Sequence, residues 1–345
     1  MRYKLLGKSG LRVSELCLGT MTFGEDWGWG ASKEESRKIF NAFVNAGGNF
    51  IDTSSNYTNG TAEKFIGEFI APARDEFVVA TKYTLRRPGS NFKDLNAGGN
   101  HRKNMVHTVE QSLARLNTDY LDLLCLHIWD RTTPVEEILR AFDDLIRAGK
   151  VLYVGISDTP AWIVAYAQAI AELRGWNRLV AYQAEYSLNE RGAEHDIMPM
   201  TQAMEMALLA FGLLGGGTLT GKFNRPGETR EPTRVKEASE KQIALADAVT
   251  QIANEIQRTP SQVAINWVRQ QASHIIPILG ARREAQIQDN LGAFKFSLSD
   301  DQLKRLSDAN PLAKIYPHTF WNDFVRRDLI FGVNVERLET RNANF

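Results

Sequence analysis

Eight short apolar, β-branched-rich runs recur along the 345-residue chain, at residues 15–19, 49–51, 77–81, 121–127, 151–156, 179–185, 207–211 and 275–279, with helix-period stretches between them. Strands that alternate with helices pair in parallel, and parallel strands are buried on both faces, which is why each run is almost continuously apolar rather than alternating. Eight such strands are the number that closes a (β/α)8 TIM barrel. The helical stretches are expected at 33–46, 61–70, 103–116, 134–148, 160–173, 193–206, 240–257, 260–272, 282–291 and 299–308. The clearest is 134–148, where Val135, Ile138, Leu139, Phe142, Leu145 and Ile146 share a face after a Thr-Pro start and before Gly149.

The rival architecture, an open doubly wound sheet, lacks its main signature, because no G-x-G-x-x-G occurs anywhere. The opening MRYKLL-GKSG-LRV reads as a β-hairpin that plugs one mouth of a barrel. Long connections fall at 83–101, 212–235 and 311–345, the last a C-terminal tail, and no break in composition divides two cores, so residues 1–345 are expected to form a single barrel domain.

Composition narrows the class of partner. Forty-one basic residues balance 41 acidic ones, so no global field draws the chain to nucleic acid or to an anionic membrane. A small molecule is the expected partner. Cys17 and Cys125 lie in apolar runs and are expected to be packed thiols. The N-terminus has no secretory apolar stretch, and the most apolar segment, 206–217, is short of the ~18 residues that cross a bilayer, so the expected location is cytoplasmic. The six histidines show no metal-ligand spacing, and no metal is expected. GGTLTGKF at 216–223 approaches a phosphate loop, but Phe223 stands where a Mg2+-holding Ser or Thr belongs.

In barrels of this kind chemistry gathers at the carboxyl ends of the strands. Those ends, and the turns that open from them, carry Asp52 and Tyr57 in NFIDTSSNY, Lys82 in VVATK, His127 in LLCLH, Ser157 and Asp158 in VGISD, and Gln183 in AYQAEY. A Tyr, Lys, Asp and His converging on one mouth suit proton transfer to a carbonyl oxygen, provided the phenol is brought nearer neutrality. An ammonium ~4 Å from a phenolate is worth up to ~4 kcal/mol at an effective dielectric near 20, and a pKa unit is ~1.4 kcal/mol, so Lys82 is expected to lower Tyr57. Asp52 keeps Lys82 charged, and a neutral His127 places the carbonyl and donates to its oxygen.

With GTMTFG at 19–24, RLNTDYLDLLCLH, GKVLYVGIS and QIQDN at 286–290, these residues resemble the aldo-keto reductases nearly end to end. The resemblance implies carbonyl reduction with NADPH in a (β/α)8 barrel, with Asp52, Tyr57, Lys82 and His127 as the catalytic tetrad. It implies cofactor contacts at Gly19, Thr20 and Met21 near the nicotinamide, at Ser157, Asp158 and Gln183 on its carboxamide, and at Tyr186 as a stacking ring. AFGLLGGGTLTGKF resembles the family's pyrophosphate strap, implying Leu214, Gly216 and Lys222, although Gly212-Leu213 stands where Ser-Pro is usual. IPILGARREAQIQDN matches the adenosine site, implying Gly280 and Arg282 at a 2′-phosphate, with Arg283 beside them, and Gln286 and Asn290 at the adenine. A guanidinium forks onto a phosphate, so Arg282 favours NADPH over NADH. Asp158 departs from the family's usual Asn and can only accept a hydrogen bond.

Trp27 and Trp129 follow catalytic-side strands and are expected to line a substrate pocket, while Trp29 and Trp321 also fall in loops; the expected substrate is an apolar or aromatic carbonyl. The alternative that the same residues admit is a regulatory, redox-sensing subunit that binds cofactor tightly and turns over slowly. A third is a barrel disabled at its altered strap.

Overall fold

The computed structural model describes residues 1–224, 235, 237–320 and 325–337. A closed, all-parallel barrel forms its centre, built from β3 (Cys17–Gly19), β4 (Phe50–Asp52), β5 (Val78–Tyr83), β6 (Leu121–Leu126), β7 (Val151–Ser157), β8 (Leu179–Glu185), β9 (Ala207–Phe211) and β10 (Ile275–Gly280). Each strand pairs with the next, and β10 closes on β3 in the register Gly280 to Gly19. This is the (β/α)8 barrel that the eight apolar runs predict.

The period-two alternation of strand side chains splits the core in two. Inside the barrel, Cys17, Phe50, Val78, Ala80, Leu123, Cys125, Ala181, Ala207, Leu209, Ile276 and Ile278 pack as one cluster. The alternate residues, such as Ile51, Val79, Leu124, Tyr182 and Leu208, pack outward against the helices.

Before the barrel, β1 (Tyr3–Leu5) and β2 (Arg12–Ser14) form the expected antiparallel hairpin. Leu6 and Val13 from it join the inner cluster, so the hairpin plugs the mouth at the amino ends of the strands. Gly7 permits that seal: at φ 54° its Cα lies so close to the chain that a Cβ would sit 2.1 Å from the Val180 carbonyl oxygen. Chemistry is thereby left to the opposite mouth.

The surrounding helices are α1 (Lys33–Asn45), α2 (Thr61–Ile70), α3 (Arg102–Leu116), α4 (Val135–Arg147), α5 (Ala161–Arg174), α6 (Ile197–Ala203), α7 (Glu240–Glu255), α8 (Pro260–Gln271), α9 (Glu284–Leu291) and α10 (Asp300–Ala309). Ser239 and Ser299 open α7 and α10 with capping boxes completed by Gln242 and Gln302. The helix expected at 193–206 is shorter than its pattern. Pro199 is tolerated only in a first helical turn, so α6 starts at Ile197, and residues 192–194 form a separate 3-10 turn. In the tail, expected to be irregular, residues 325–337 carry two short helical turns. No helix among the described residues is long and apolar enough to cross a membrane.

Candidate active site

The barrel register brings four strand ends to one level. Asp52 pairs with Gly19 on one side and Ala80 on the other, Lys82 pairs with Cys125, and Ser157 pairs with Gln183. Lys82 is fully buried, and its Nζ donates at 2.8 Å to both carboxylate oxygens of Asp52, at 2.8 Å to the Thr53 carbonyl, and at 3.2 Å to Tyr57 Oη. Gln183 Nε2 donates to Asp52 Oδ1 at 2.9 Å, a link between β8 and β4 that the sequence does not announce.

Tyr57 lies beyond β4, at the head of a turn over Tyr57–Gly60. Thr58, Asn59 and Gly60 have φ of 44°, 56° and 91°, three left-handed residues in succession. For buried, β-branched Thr58 that backbone is costly and persists only because its surroundings fix it. Its Oγ1 donates to the Phe23 carbonyl at 2.5 Å and accepts from the Ala62 N–H at 3.1 Å, tying the turn to the loop after β3 and to the start of α2.

His127 follows β6. Its main-chain N–H donates to the Tyr83 carbonyl at 3.1 Å and to Thr84 Oγ1 at 3.2 Å, its Nδ1 is 3.2 Å from Ser54 Oγ, and its ring meets Tyr57 edge-on at 6.1 Å. Burial, and secondarily the Lys82 charge, push its imidazole down to about 3, so the ring is neutral at ordinary pH. Burial also works against the Lys82 ammonium, but Asp52 and Tyr57 hold it above the usual lysine value. Tyr57 departs from the sequence expectation. Burial raises its phenol above the ordinary value, Lys82 pulls it down, and Asp52, two-fold bonded to that same lysine, offsets part of the pull. The free protein therefore holds Tyr57 as a protonated phenol beside a permanent cation, an arrangement able to give a proton to an oxygen and to stabilise the phenolate left behind.

Of the positions expected to meet a nicotinamide, Gly19, Ser157 and Gln183 lie toward strand ends of the barrel, and Tyr186 does not face it. Gly19 ends β3, the Thr20 hydroxyl donates to the Asp52 carbonyl at 3.0 Å, and Met21 follows. Ser157 is buried, and its Oγ has no partner in hydrogen-bonding geometry among the described residues. Asp158 is exposed at the rim with φ 42°, and partial burial of its carboxyl raises it, against the nearby Ser157 hydroxyl and Lys82 charge. Tyr186 does not present a ring at the mouth. It is fully buried against Trp267, ring centroids 5.6 Å apart, and its hydroxyl donates to Glu194 at 2.9 Å. The reason is strand parity: Gln183 and Tyr186 are three apart and so face opposite ways. The aromatic ring in the inward column is Phe211, two residues after Leu209, half-buried at the end of β9. Counting parity from Ala207 could have found it.

In the strap, Gly212 stands at φ 74°, a conformation that its glycine accommodates, and Gly215, Gly216 and Gly217 follow at 56°, 66° and 94°. Leu214 precedes that run, Leu213 is buried, and Lys222 Nζ lies over the Phe223 ring at 5.1 Å. Beyond β10, where a Cβ on Gly280 would meet nothing within 4 Å, Gln286 Oε1 accepts from the Arg282 N–H at 2.9 Å, and Asn290 Nδ2 donates to the Gly280 carbonyl at 3.4 Å. An open glycine, a forked cation and an orphaned buried hydroxyl fit a phosphorylated, amide-bearing ligand such as a nicotinamide dinucleotide.

Aromatic rings flank the phenol. Trp27 meets Tyr57 edge-on at 6.5 Å and is tilted against Trp29 at 5.8 Å; separately, in the loop after β6, Trp129 meets Trp162 edge-on at 6.0 Å. The loop carrying Trp129 is pinned by Asp130, which accepts from Asn100, Thr132 and Thr133 main-chain N–H groups. Trp321 lies outside the described residues. Residues that sequence reasoning missed are Thr58, Thr84 and Asn100, which fix the loops, Ser54, which reaches His127, and Asn56, which accepts from Ser54. None carries a spacing signal, since each acts through the folded turn.

Fold and site together define a barrel oxidoreductase. A profile of the aldo/keto reductase family matches residues 15–311, and the chain belongs to that family, whose members use nicotinamide cofactors. Among its relatives, norsolorinic acid reductase of Aspergillus flavus is 36% identical, the match covering 92% of this chain and 82% of that one. The aryl-alcohol dehydrogenase [NADP(+)] of Phanerodontia chrysosporium is 36% identical over 91% of this chain and 87% of its own length. Norsolorinic acid reductase B of Dothistroma septosporum is 37% identical over 93% and 84%.

Proposed function

We propose that the protein reduces aromatic aldehydes and ketones to alcohols with NADPH, Tyr57 giving the proton. The observation that carries this reading is the Lys82 ammonium shared between Asp52, the Thr53 carbonyl and Tyr57 Oη. Bound at this mouth, a reduced nicotinamide supplies the hydride. Ser157 and Gln183 would hold its carboxamide, Phe211 would offer the ring face that Tyr186 cannot, and Arg282 would bind a 2′-phosphate. Tyr57 Oη passes its proton to the carbonyl oxygen, and the phenolate that remains is stabilised by Lys82. Asp52 keeps that lysine charged and oriented. Neutral His127 sets the position of the substrate oxygen without competing for the proton.

The aromatic preference rests on Trp27, which meets the phenol, on Trp29 beside it and on Trp129 in the loop that follows His127, and the names of relatives that act on norsolorinic acid or aryl alcohols agree with it. The test follows loss of reduced-nicotinamide absorbance with aryl and short aliphatic aldehydes, for the protein and Tyr57→Phe. Undiminished turnover in the variant would overturn the proton assignment. Arg282→Ala is expected to weaken NADPH by roughly 10–100-fold, the worth of a charged hydrogen-bonded pair, and to leave NADH unchanged.

A further inference from the structure

A neutral imidazole carries one ring proton, and the nitrogen that bears it decides whether His127 donates to a substrate oxygen or accepts from it. Nδ1 is taken by Ser54, whose Oγ is 3.2 Å away, and Nε2 makes no hydrogen bond among the described residues. The Ser54 side chain is fully buried and its hydroxyl also donates to Asn56 Oδ1 at 2.8 Å. A hydroxyl has one hydrogen. With that hydrogen given to Asn56, Oγ can only accept from Nδ1–H, and Nε2 is left bare. Turning the Asn56 amide by half a turn sets its NH2 against Oγ; the hydroxyl then donates to Nδ1, and the ring proton must sit on Nε2. The half-buried Asn56 side chain makes no other hydrogen bond among the described residues, so the turn breaks none.

We propose that Ser54 and Asn56 are positioning residues that set the tautomer of His127, the Asn56 amide acting as a two-position selector. With Oδ1 toward Ser54, Nε2 accepts from an alcohol hydroxyl; with Nδ2 toward Ser54, Nε2–H donates to a carbonyl oxygen. The selector thus matches His127 to either face of the reaction, and it rests on the reading above that His127 meets the substrate oxygen. No net proton is transferred: one leaves Nδ1 for water as another arrives at Nε2 from water. A doubly protonated ring, which would donate from both nitrogens and make the selector idle, is disfavoured by burial and by the nearby Lys82 charge.

The test is the tautomer itself, read by long-range 15N–1H correlation on the full chain labelled with [15N]histidine, the His127 signals being identified by their loss in His127→Gln. The free protein is expected to show the proton on Nδ1. Ser54→Ala should abolish the preference, Ser54→Thr should keep it, and Asn56→Asp, whose carboxylate only accepts, should lock it. In Asn56→Asp the dissociation constant of an aryl aldehyde bound with NADP+ should rise about tenfold, the worth of one hydrogen bond, while that of the corresponding alcohol bound with NADPH stays unchanged. Identical tautomer populations in the protein, Ser54→Ala and Asn56→Asp would overturn the proposal. The spectrum needs no turnover, so full activity in Tyr57→Phe would remove the reductase reading without deciding the tautomer, and an unchanged tautomer would remove the selector without touching Tyr57.

Discussion

Asp52 grips the Lys82 ammonium with both carboxylate oxygens, each at 2.8 Å, inside a barrel that leaves the pair almost no contact with water. Two charges so placed are stable only together, because either one alone would be an uncompensated ion in a low-dielectric interior. Asp52→Asn or Lys82→Met alone is therefore expected to cost roughly 3–5 kcal/mol in denaturant unfolding. The double variant should cost less than the sum of the two. A simple sum would show that the charges are not coupled.

His127 ties acidity to stability. Its folded pKa, about 3, lies below the ordinary value of 6.5, so between those values the unfolded chain binds a proton that the folded chain refuses. Stability then rises with pH across that window; the contribution is complete above about 6.5 and is lost as pH falls toward 3. His127→Gln should flatten this part of a stability-versus-pH curve measured by urea unfolding. An unchanged slope would count against a neutral, buried ring.

Thr58 spends backbone strain beside Tyr57, and its hydroxyl makes two side-chain bonds that tie the turn to Phe23 and Ala62. Thr58→Val keeps the shape and removes those bonds, and should destabilise by about 1–3 kcal/mol while lowering kcat more than it raises KM. Thr58→Ser, which keeps the hydroxyl, should restore kcat. Equal kcat in the Val and Ser variants would leave the hydroxyl without a role in aiming the phenol.

Trp129, in the loop after His127, meets Trp162 edge-on, and its indole N–H is buried without a hydrogen-bond partner among the described residues. Trp129→Ala should raise KM for aryl aldehydes about tenfold or more, as expected for losing an aromatic contact and its buried area, with a much smaller effect on short aliphatic aldehydes. Uniform loss across both groups would point to collapse of the loop rather than to a missing ring.

The sequence by itself determined the barrel. Eight doubly buried strands are written as eight apolar runs, and the carboxyl ends of those runs carry Asp52, Lys82, His127, Ser157 and Gln183 because local pattern and strand polarity are both one-dimensional information. Parity was also present in the sequence, and it would have turned Tyr186 outward and Phe211 inward; resemblance alone misplaced that ring. What only the tertiary structure decided are quantities that depend on distances between segments remote in the chain. Asp52 offsets part of the help that Lys82 gives Tyr57, and burial leaves the phenol raised rather than lowered. Gln183 reaches across the barrel to Asp52, Thr58 fastens Tyr57 to Phe23, and Ser54 with Asn56 meets His127. Hydration and electrostatic coupling change steeply over a few ångströms, and those few ångströms exist only once the barrel has closed.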